Sequence, residues 1–196
     1  MPERGTIMAN NTANITSTNP ADGGEFYRAP LGSTLPVDAI ADLDAAFNGL
    51  GFTGEDGFVV SQNRTTEDKR AYGGDVVYSL QTEYGVSIQV TVYESQNAEV
   101  LKTVFGDDNV TVDGGNTTVK YNKKRLPRSV FVTDHVTDQG LLRQVVPVGQ
   151  VTDVGDITLV HTDILMYQLT ITAYPDADGN YMYEYRTVDA DEQGEP

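Results

Sequence analysis

Cysteine is absent from this 196-residue chain, and histidine occurs only as His135 and His161. The first absence removes disulfides, thiol nucleophiles and cysteine-ligated zinc together. The second leaves any histidine metal site dependent on carboxylates, and no helical histidine pair is present to begin one. Basic residues are scarce: 13 Lys and Arg stand against 29 Asp and Glu, for a net charge of −16. Tight binding of nucleic acid needs Lys and Arg against the phosphates, so this balance disfavours it while favouring solubility. No apolar run reaches the roughly 18 residues of a membrane-spanning helix, and no membrane contact is expected. The first residues, from Met1 to Gly5, lack an apolar signal core, and nothing points to the secretory route. The Asn-x-Thr triplets at Asn14, Asn63, Asn109 and Asn116 then read as chance in a chain rich in Thr and Asn. Catalytic vocabulary is missing too: there is no phosphate loop, nucleophile elbow or paired-carboxylate motif. Asp176-Ala177-Asp178-Gly179-Asn180 begins like a calcium loop. It puts Tyr181 where glycine is required and has no closing Glu, so it reads as a turn. No cofactor and no metal are expected.

What is present reads as β structure. Hydrophobic residues make up 39% of the chain and glycines number 19, which suits many strands and turns. The stretch from Val76 to Gly106 organises the rest. Val86, Ile88, Val90 and Val92 alternate with Ser87, Gln89, Thr91 and Tyr93, the period of a strand with one wet face. Val76 to Gln81 alternates less cleanly, and Glu83-Tyr84-Gly85 between the runs predicts a hairpin turn. After Glu94 the period becomes helical: Leu101, Val104 and Phe105 share a face, Ser95 or Asn97 can cap the start, and Gly106 can end it.

The rest of the chain adds one more helix and further strands. Residues 1–20 are polar and predict a disordered arm. Met8 within it is a possible alternative start. Phe26 to Pro30 reads as a strand. Ile40, Leu43 and Phe47, with Asp42 and Asp44 on the wet side and Gly49 or Gly51 as the stop, predict a helix over 36–51. Gly57 to Ser61 is a strand. Residues 62–75 are charged and almost free of apolar side chains, so they read as a long loop or a hairpin that projects beyond the domain. Val110–Val112 and Thr117–Tyr121 flank a hairpin turn. Next comes a basic cluster, Lys120, Lys123, Lys124, Arg125 and Arg128, five of the 13 basic residues. Segments 129–133, 141–148, 156–161, 165–174 and 181–187 read as strands, and 189–196 as an acidic tail. The total is about ten strands and two short helices.

Several phrases in this order resemble a known family. They are PVDAIADLDAAFNGLGFTGEDG, then RAYGGDVVYSLQTEYGVSIQVTVYESQNAEVLKTVFGDDNV, then VTDVGDITLVHTDILMYQLTITAYPDADG, together covering roughly residues 30–180. They are similar to the major tail tube protein of long-tailed, non-contractile bacteriophages, particularly those of actinobacteria. The resemblance implies a mainly β protein: a β-sandwich or barrel with a flanking helix, here with a long charged loop and an extended N-terminal arm. It implies a virion protein without catalytic residues. Six copies form a ring, rings stack into a tube, and DNA passes through to the host without being bound specifically. Its partners are copies of itself and the tail tip, terminator and tape measure proteins. It resides in the virion tail, and in the host cytoplasm during assembly. Many relatives carry an added immunoglobulin-like domain, for which a chain ending at Pro196 leaves no room. The expected layout is an arm over 1–20, a tube domain over 21–188 and the tail over 189–196.

Physical argument then assigns surfaces. A bore must not hold phosphate, and the small polar face of 76–94 suits its wall: Ser79, Gln81, Glu83, Ser87, Gln89 and Thr91. Ring contacts are expected from the charged loop, through Arg64, Glu67, Asp68, Lys69 and Arg70. The basic cluster is expected to meet an acidic surface of a neighbouring copy. The competing class is a non-catalytic β-sandwich binding or decoration module of a virion. It would use Tyr181, Tyr183 and Tyr185 as an aromatic platform.

Overall fold

The computed structural model describes residues 12–21 and 24–187. Residues 1–11 of the polar segment and the acidic tail lie outside them. The strands in chain order are β1 (Thr18–Pro20), β2 (Phe26–Pro30), β3 (Asn48–Gly49), β4 (Thr53–Arg70), β5 (Val76–Val92), β6 (Val110–Asp113), β7 (Asn116–Val119), β8 (Ser129–Thr137), β9 (Gly140–Val154), β10 (Tyr167–Ala173) and β11 (Tyr183–Arg186). One α-helix, α1 (Ala98–Phe105), follows β5. The protein is mainly β with a flanking helix, as the sequence predicts. A nine-stranded antiparallel sheet runs β3-β2-β8-β9-β10-β5-β4, with β1 added to β8 and β11 to β9; β6 and β7 form a separate hairpin. Thr18–Pro20, the end of the polar segment, is thus tied down by pairing.

The sheet is open but strongly curled. Flat, β2 and β4 would lie five strand spacings apart, roughly 24 Å. Yet Phe26 of β2 and Phe58 of β4 meet edge to face at 5.4 Å. Across the seam the Glu25 carboxylate accepts from the Thr53 backbone N–H at 2.9 Å and from the Thr53 hydroxyl. The curl encloses a core of Phe26, Leu50, Val86, Ile88, Val90, Val92, Leu169 and Ile171, which the helix covers with Val100, Leu101 and Val104. The helix ends are as expected. Asn97 accepts from Glu99 N–H at 2.9 Å, and Gly106 takes φ +96° as its N–H returns to Lys102 O. On the opposite face of β8, Val130 and Val132 join Ala29 and Val145 in a second core, covered by Leu35, Leu43, Phe47, Tyr183 and Tyr185.

Three expectations fail, each for a backbone reason. First, residues 76–92 are one strand and Glu83–Gly85 is no turn. Tyr84 and Gly85 pair with Arg64 and Asn63 of β4, and Gly85 does not take positive φ. The turn lies at 71–75, where Ala71 N–H reaches Asp75 O at 2.8 Å and Gly74 adopts φ +94°. The charged segment is therefore the outer half of a β4–β5 hairpin. Second, residues 36–47 are not helical. The Asp38 carboxylate captures the N–H groups of Ile40 and Ala41, and Asp44 captures that of Ala46. Such short side chains compete with the helical bonds. The carbonyls of Asp38 and Ala41 are taken by buried Arg143, at 3.1 and 2.7 Å. Leu43 and Phe47 still reach the core, but Ile40 faces solvent. Third, 156–161 is not a strand, because β9 and β5 already occupy both edges of β10.

Arg143 also holds Asp134 through two bonds of 2.6 and 2.8 Å. This hydrogen bond, before anything else, holds the guanidinium above its ordinary range. Arg143→Gln is expected to cost about 3 kcal/mol, because Asp134 loses its partner and two carbonyls lose their donor. Hydrogen exchange should quicken in residues 36–47 before it does in β5. His135, against Phe58 at 5.2 Å, is held below the ordinary histidine range by burial, against the pull of Asp134, Glu25 and Glu184. The unfolded chain gains this proton near pH 6.5, the folded chain only at lower pH. The contribution is therefore complete above about pH 6.5 and lost as pH falls through the lowered value. The melting midpoint should drop between pH 7 and 5, and His135→Gln should flatten that drop.

Candidate lumen face and assembly surfaces

The core face of β5 is paid for by the four buried residues Val86 to Val92; its other face is polar. Ser87, Gln89 and Thr91 stand in register with Thr172, Thr170 and Gln168 of β10. Ser61 of β4 extends the row beyond Ser87. On the other side Thr152 bulges from β9 and shares a hydrogen bond of 2.8 Å with Thr172. The same face carries the carboxylate of Asp153, opposite Thr170, and the apolar Val59, opposite Gln89, but no Lys or Arg. It offers hydrogen bonds to water and no counter-charge to a phosphate. The β10 and β9 members were missed as wall residues by the sequence reading. The alternation of Gln168, Thr170 and Thr172 with Tyr167, Leu169 and Ile171 carried the signal, but not which strand neighbours which.

Beyond Val86, β5 loses β10 as a neighbour and continues with β4 alone. The result is a two-stranded arm, roughly 30 Å long at the usual rise per residue. Residues 65–83 are all exposed. Two register shifts, which leave Thr82 and Val77 unpaired, break the alternation along it. The one at Thr82 divides the six residues expected to line the bore. Ser87, Gln89 and Thr91 share the polar wall, and Glu83 keeps to its side, 3.5 Å from the Thr65 hydroxyl. Gln81 and Ser79 fall on the opposite side, where Arg64 donates to Gln81 at 3.2 Å. Tyr78 and Leu80 move the other way, onto the side of the polar wall.

The charged residues of the arm are engaged locally. Arg64 lies 4.4 Å over the Tyr84 ring, Lys69 pairs with Glu67 at 2.6 Å, and Arg70 donates to Gly74 O at 3.0 Å. Asp68 stands opposite Ser79. The basic cluster is divided as well. Arg125 donates to Gln150 at 2.8 and 3.1 Å and to Tyr174 at 3.3 Å, while Arg128 stacks 4.1 Å over the Tyr174 ring. Gln150 is buried and returns a bond to Leu126 O. These two arginines fasten their own segment to β9 and to the end of β10. Lys124 stands 3.8 Å from Asp108. Lys120 and Lys123 form no ion pair among the described residues, and both are exposed.

The three C-terminal tyrosines do not make one platform. Tyr181 packs edge to face on Tyr84 at 5.0 Å, while Tyr183 and Tyr185 stack on each other at 6.3 Å over the second core. Tyr183 also donates to Asp176 at 2.6 Å, and Asp176 accepts the N–H groups of Asp178 and Asn180, closing the expected turn. Among the described residues no group of three His, Asp or Glu is placed to hold a metal, and no helix is long and apolar enough to cross a membrane.

Comparison with known proteins bears on these surfaces. No curated protein matches the sequence significantly. Among solved structures, the chain is similar to one titled "Cryo-EM structure of the anti-feeding prophage cap (AFP tube terminating cap)", at 11% identity and a TM-score of 0.45, covering 92% of this chain and 100% of that one. The family described as "Phage tail tube protein" matches residues 8–194. A polar wall without Lys or Arg and an arm without support from its own body are features a self-assembling structural subunit can use. With the family matched over nearly its whole length, the chain belongs to the phage tail tube proteins, structural and non-catalytic components of the virion tail.

Proposed function

We propose that this protein polymerises as stacked, six-membered rings that form the tail tube of a long-tailed, non-contractile phage, and that DNA passes through the bore into the host. The observation that carries the reading is the arm. A two-stranded hairpin is at best marginally stable in water, and residues 65–83 bury nothing against their own body. A neighbouring copy supplies the missing surface. Arg64, Glu67, Asp68, Lys69 and Arg70 accompany it into that contact. The wall of Ser87, Gln89, Thr91, Gln168, Thr170 and Thr172 faces the bore, with Glu83 at its margin. Carboxylates act on passing phosphate only within roughly 8 Å at physiological salt, so a wall that carries Asp153 and no Lys or Arg repels the DNA at short range and does not trap it. The tube domain spans 21–188, between an N-terminal extension and an acidic tail. Tail tip, terminator and tape measure proteins are the further partners, met in the host cytoplasm during assembly.

The direct test is to concentrate the protein near physiological salt, with and without a tail-tip initiator, and examine it by electron microscopy and sedimentation. Tubes are expected; a monomer under every condition refutes the reading. Replacing residues 65–83 by Asn-Gly between the paired Arg64 and Tyr84 removes only exposed side chains. That variant should melt within a few degrees of the parent yet form no tubes. Charge reversal belongs at Lys120 and Lys123 rather than at Arg125, whose loss would loosen Gln150. Lys120→Glu with Lys123→Glu should leave melting unchanged and weaken assembly most at low salt. Each exposed pair is worth only about 0–1 kcal/mol, but it repeats at every subunit.

A further inference from the structure

The arm leaves the sheet at one end of β5, and the connection from β9 to β10 lies at the other. Val86 pairs with Ala173 where the arm begins, and Val92 pairs with Tyr167 and Thr53 at the far end. Residues 155–166 leave β9 at Val154 and enter β10 at Tyr167, so they occupy that far end. This segment has the composition of a strand and forms none. Its large apolar side chains stay in water: Leu159 is 80% exposed, Ile164 55% and Val160 49%. Exposed apolar side chains gathered in one short segment mark a contact surface.

We propose that this segment is the receptor for the arm of a second copy of the chain, with Tyr78 and Leu80 seated against Leu159, Val160 and Ile164. The inference rests on the reading of the protein as a stacking tube subunit and names the surface that stacking uses. Direction selects the occupant. The arm runs away from its own receptor, so the two cannot meet within one chain. A donor at one end and an acceptor at the other repeat without closing, which builds a filament. The bulge at Thr82 agrees. Without it Tyr78 and Leu80 would share the core face of Val86 and Ile88; with it both lie on the other side, 61% and 38% exposed. Charge agrees as well. No Lys or Arg occurs between Arg143 and Arg186, and the receptor end carries Asp153, Asp156 and Asp163, none in an ion pair among the described residues. In the arm, Arg64 and Arg70 likewise lack a carboxylate partner among the described residues.

Because the chain contains no cysteine, one engineered pair reports a single contact. The full-length Leu80→Cys, Leu159→Cys variant, treated with a short bismaleimide, should give a ladder of cross-linked multimers when assembled and none when dilute. In parallel, Leu159→Ser, Val160→Ser and Ile164→Ser together should raise the concentration needed for tubes at least about tenfold, by removing apolar contact area. Melting should hardly change, since these side chains are exposed. If the parent protein never assembles, the tube reading itself fails. If the parent assembles, the triple variant assembles at the same concentration and no ladder forms, the receptor assignment is overturned while the tube reading stands. Should the triple variant prove unfolded, the cross-link alone decides.

Discussion

The pairing of β5 with β4 is the constraint on which the rest depends. It runs the length of the 17-residue β5, while β10 accompanies β5 for only seven residues. The shared part is buried on one face and polar on the other, and belongs to the body of the sheet. The unshared part has no second neighbour and no core, and becomes an arm. A single length mismatch between adjacent strands therefore separates a stable domain from a segment that finds its partners elsewhere. The bulge at Thr82 then sets which side of the arm carries Tyr78 and Leu80.

The body tolerates this because its own closure is secured separately. The curl of the sheet brings Phe26 to Phe58, and the Glu25–Thr53 bonds fasten the seam without a ladder of strand bonds. Arg143 does similar work on the opposite face. Its four hydrogen bonds are shared between one carboxylate and two carbonyls, so a segment without regular bonding is held against Val130, Val132 and Val145. Polar side chains, not repetitive backbone bonds, shape the irregular parts of this fold. That explains why a helical apolar spacing over 36–47 produced buried Leu43 and Phe47 without a helix.

Charge follows the same division. A protein carrying −16 keeps the central wall of its sheet free of Lys and Arg, and spends Arg125, Arg128 and Arg143 on internal bonds. Among the described residues, exposed cations that neither meet a carboxylate nor fasten Gln150 and Tyr174 remain at the arm and at Lys120 and Lys123, far fewer than the carboxylates at the surface. Contacts between copies then depend on where those few cations meet carboxylates, together with the apolar residues left in water at the two ends of β5.

The sequence by itself determined the class of protein, the alternation of β5 and β10, the α1 caps, the 110–119 hairpin and the absence of catalytic and metal chemistry from its motifs. These are local facts: a period of two, an Asn before a helical run, a missing cysteine. The family was legible for the same reason, as several phrases in a fixed order. Partners were not legible. That Tyr84 and Gly85 sit mid-strand depended on β4 reaching that far, and that 156–161 stays unpaired depended on both edges of β10 being filled. The split of Ser79 and Gln81 from Ser87, Gln89 and Thr91 came from one bulge, at Thr82, that alternation cannot reveal, since an unpaired residue is defined only by the strand opposite. Arg125 looked like a free cation until Gln150 and Tyr174 were brought beside it. Side-chain periodicity is written along the chain; register, neighbours and the use of a charge are decided across it, by which backbone edges tertiary folding brings together.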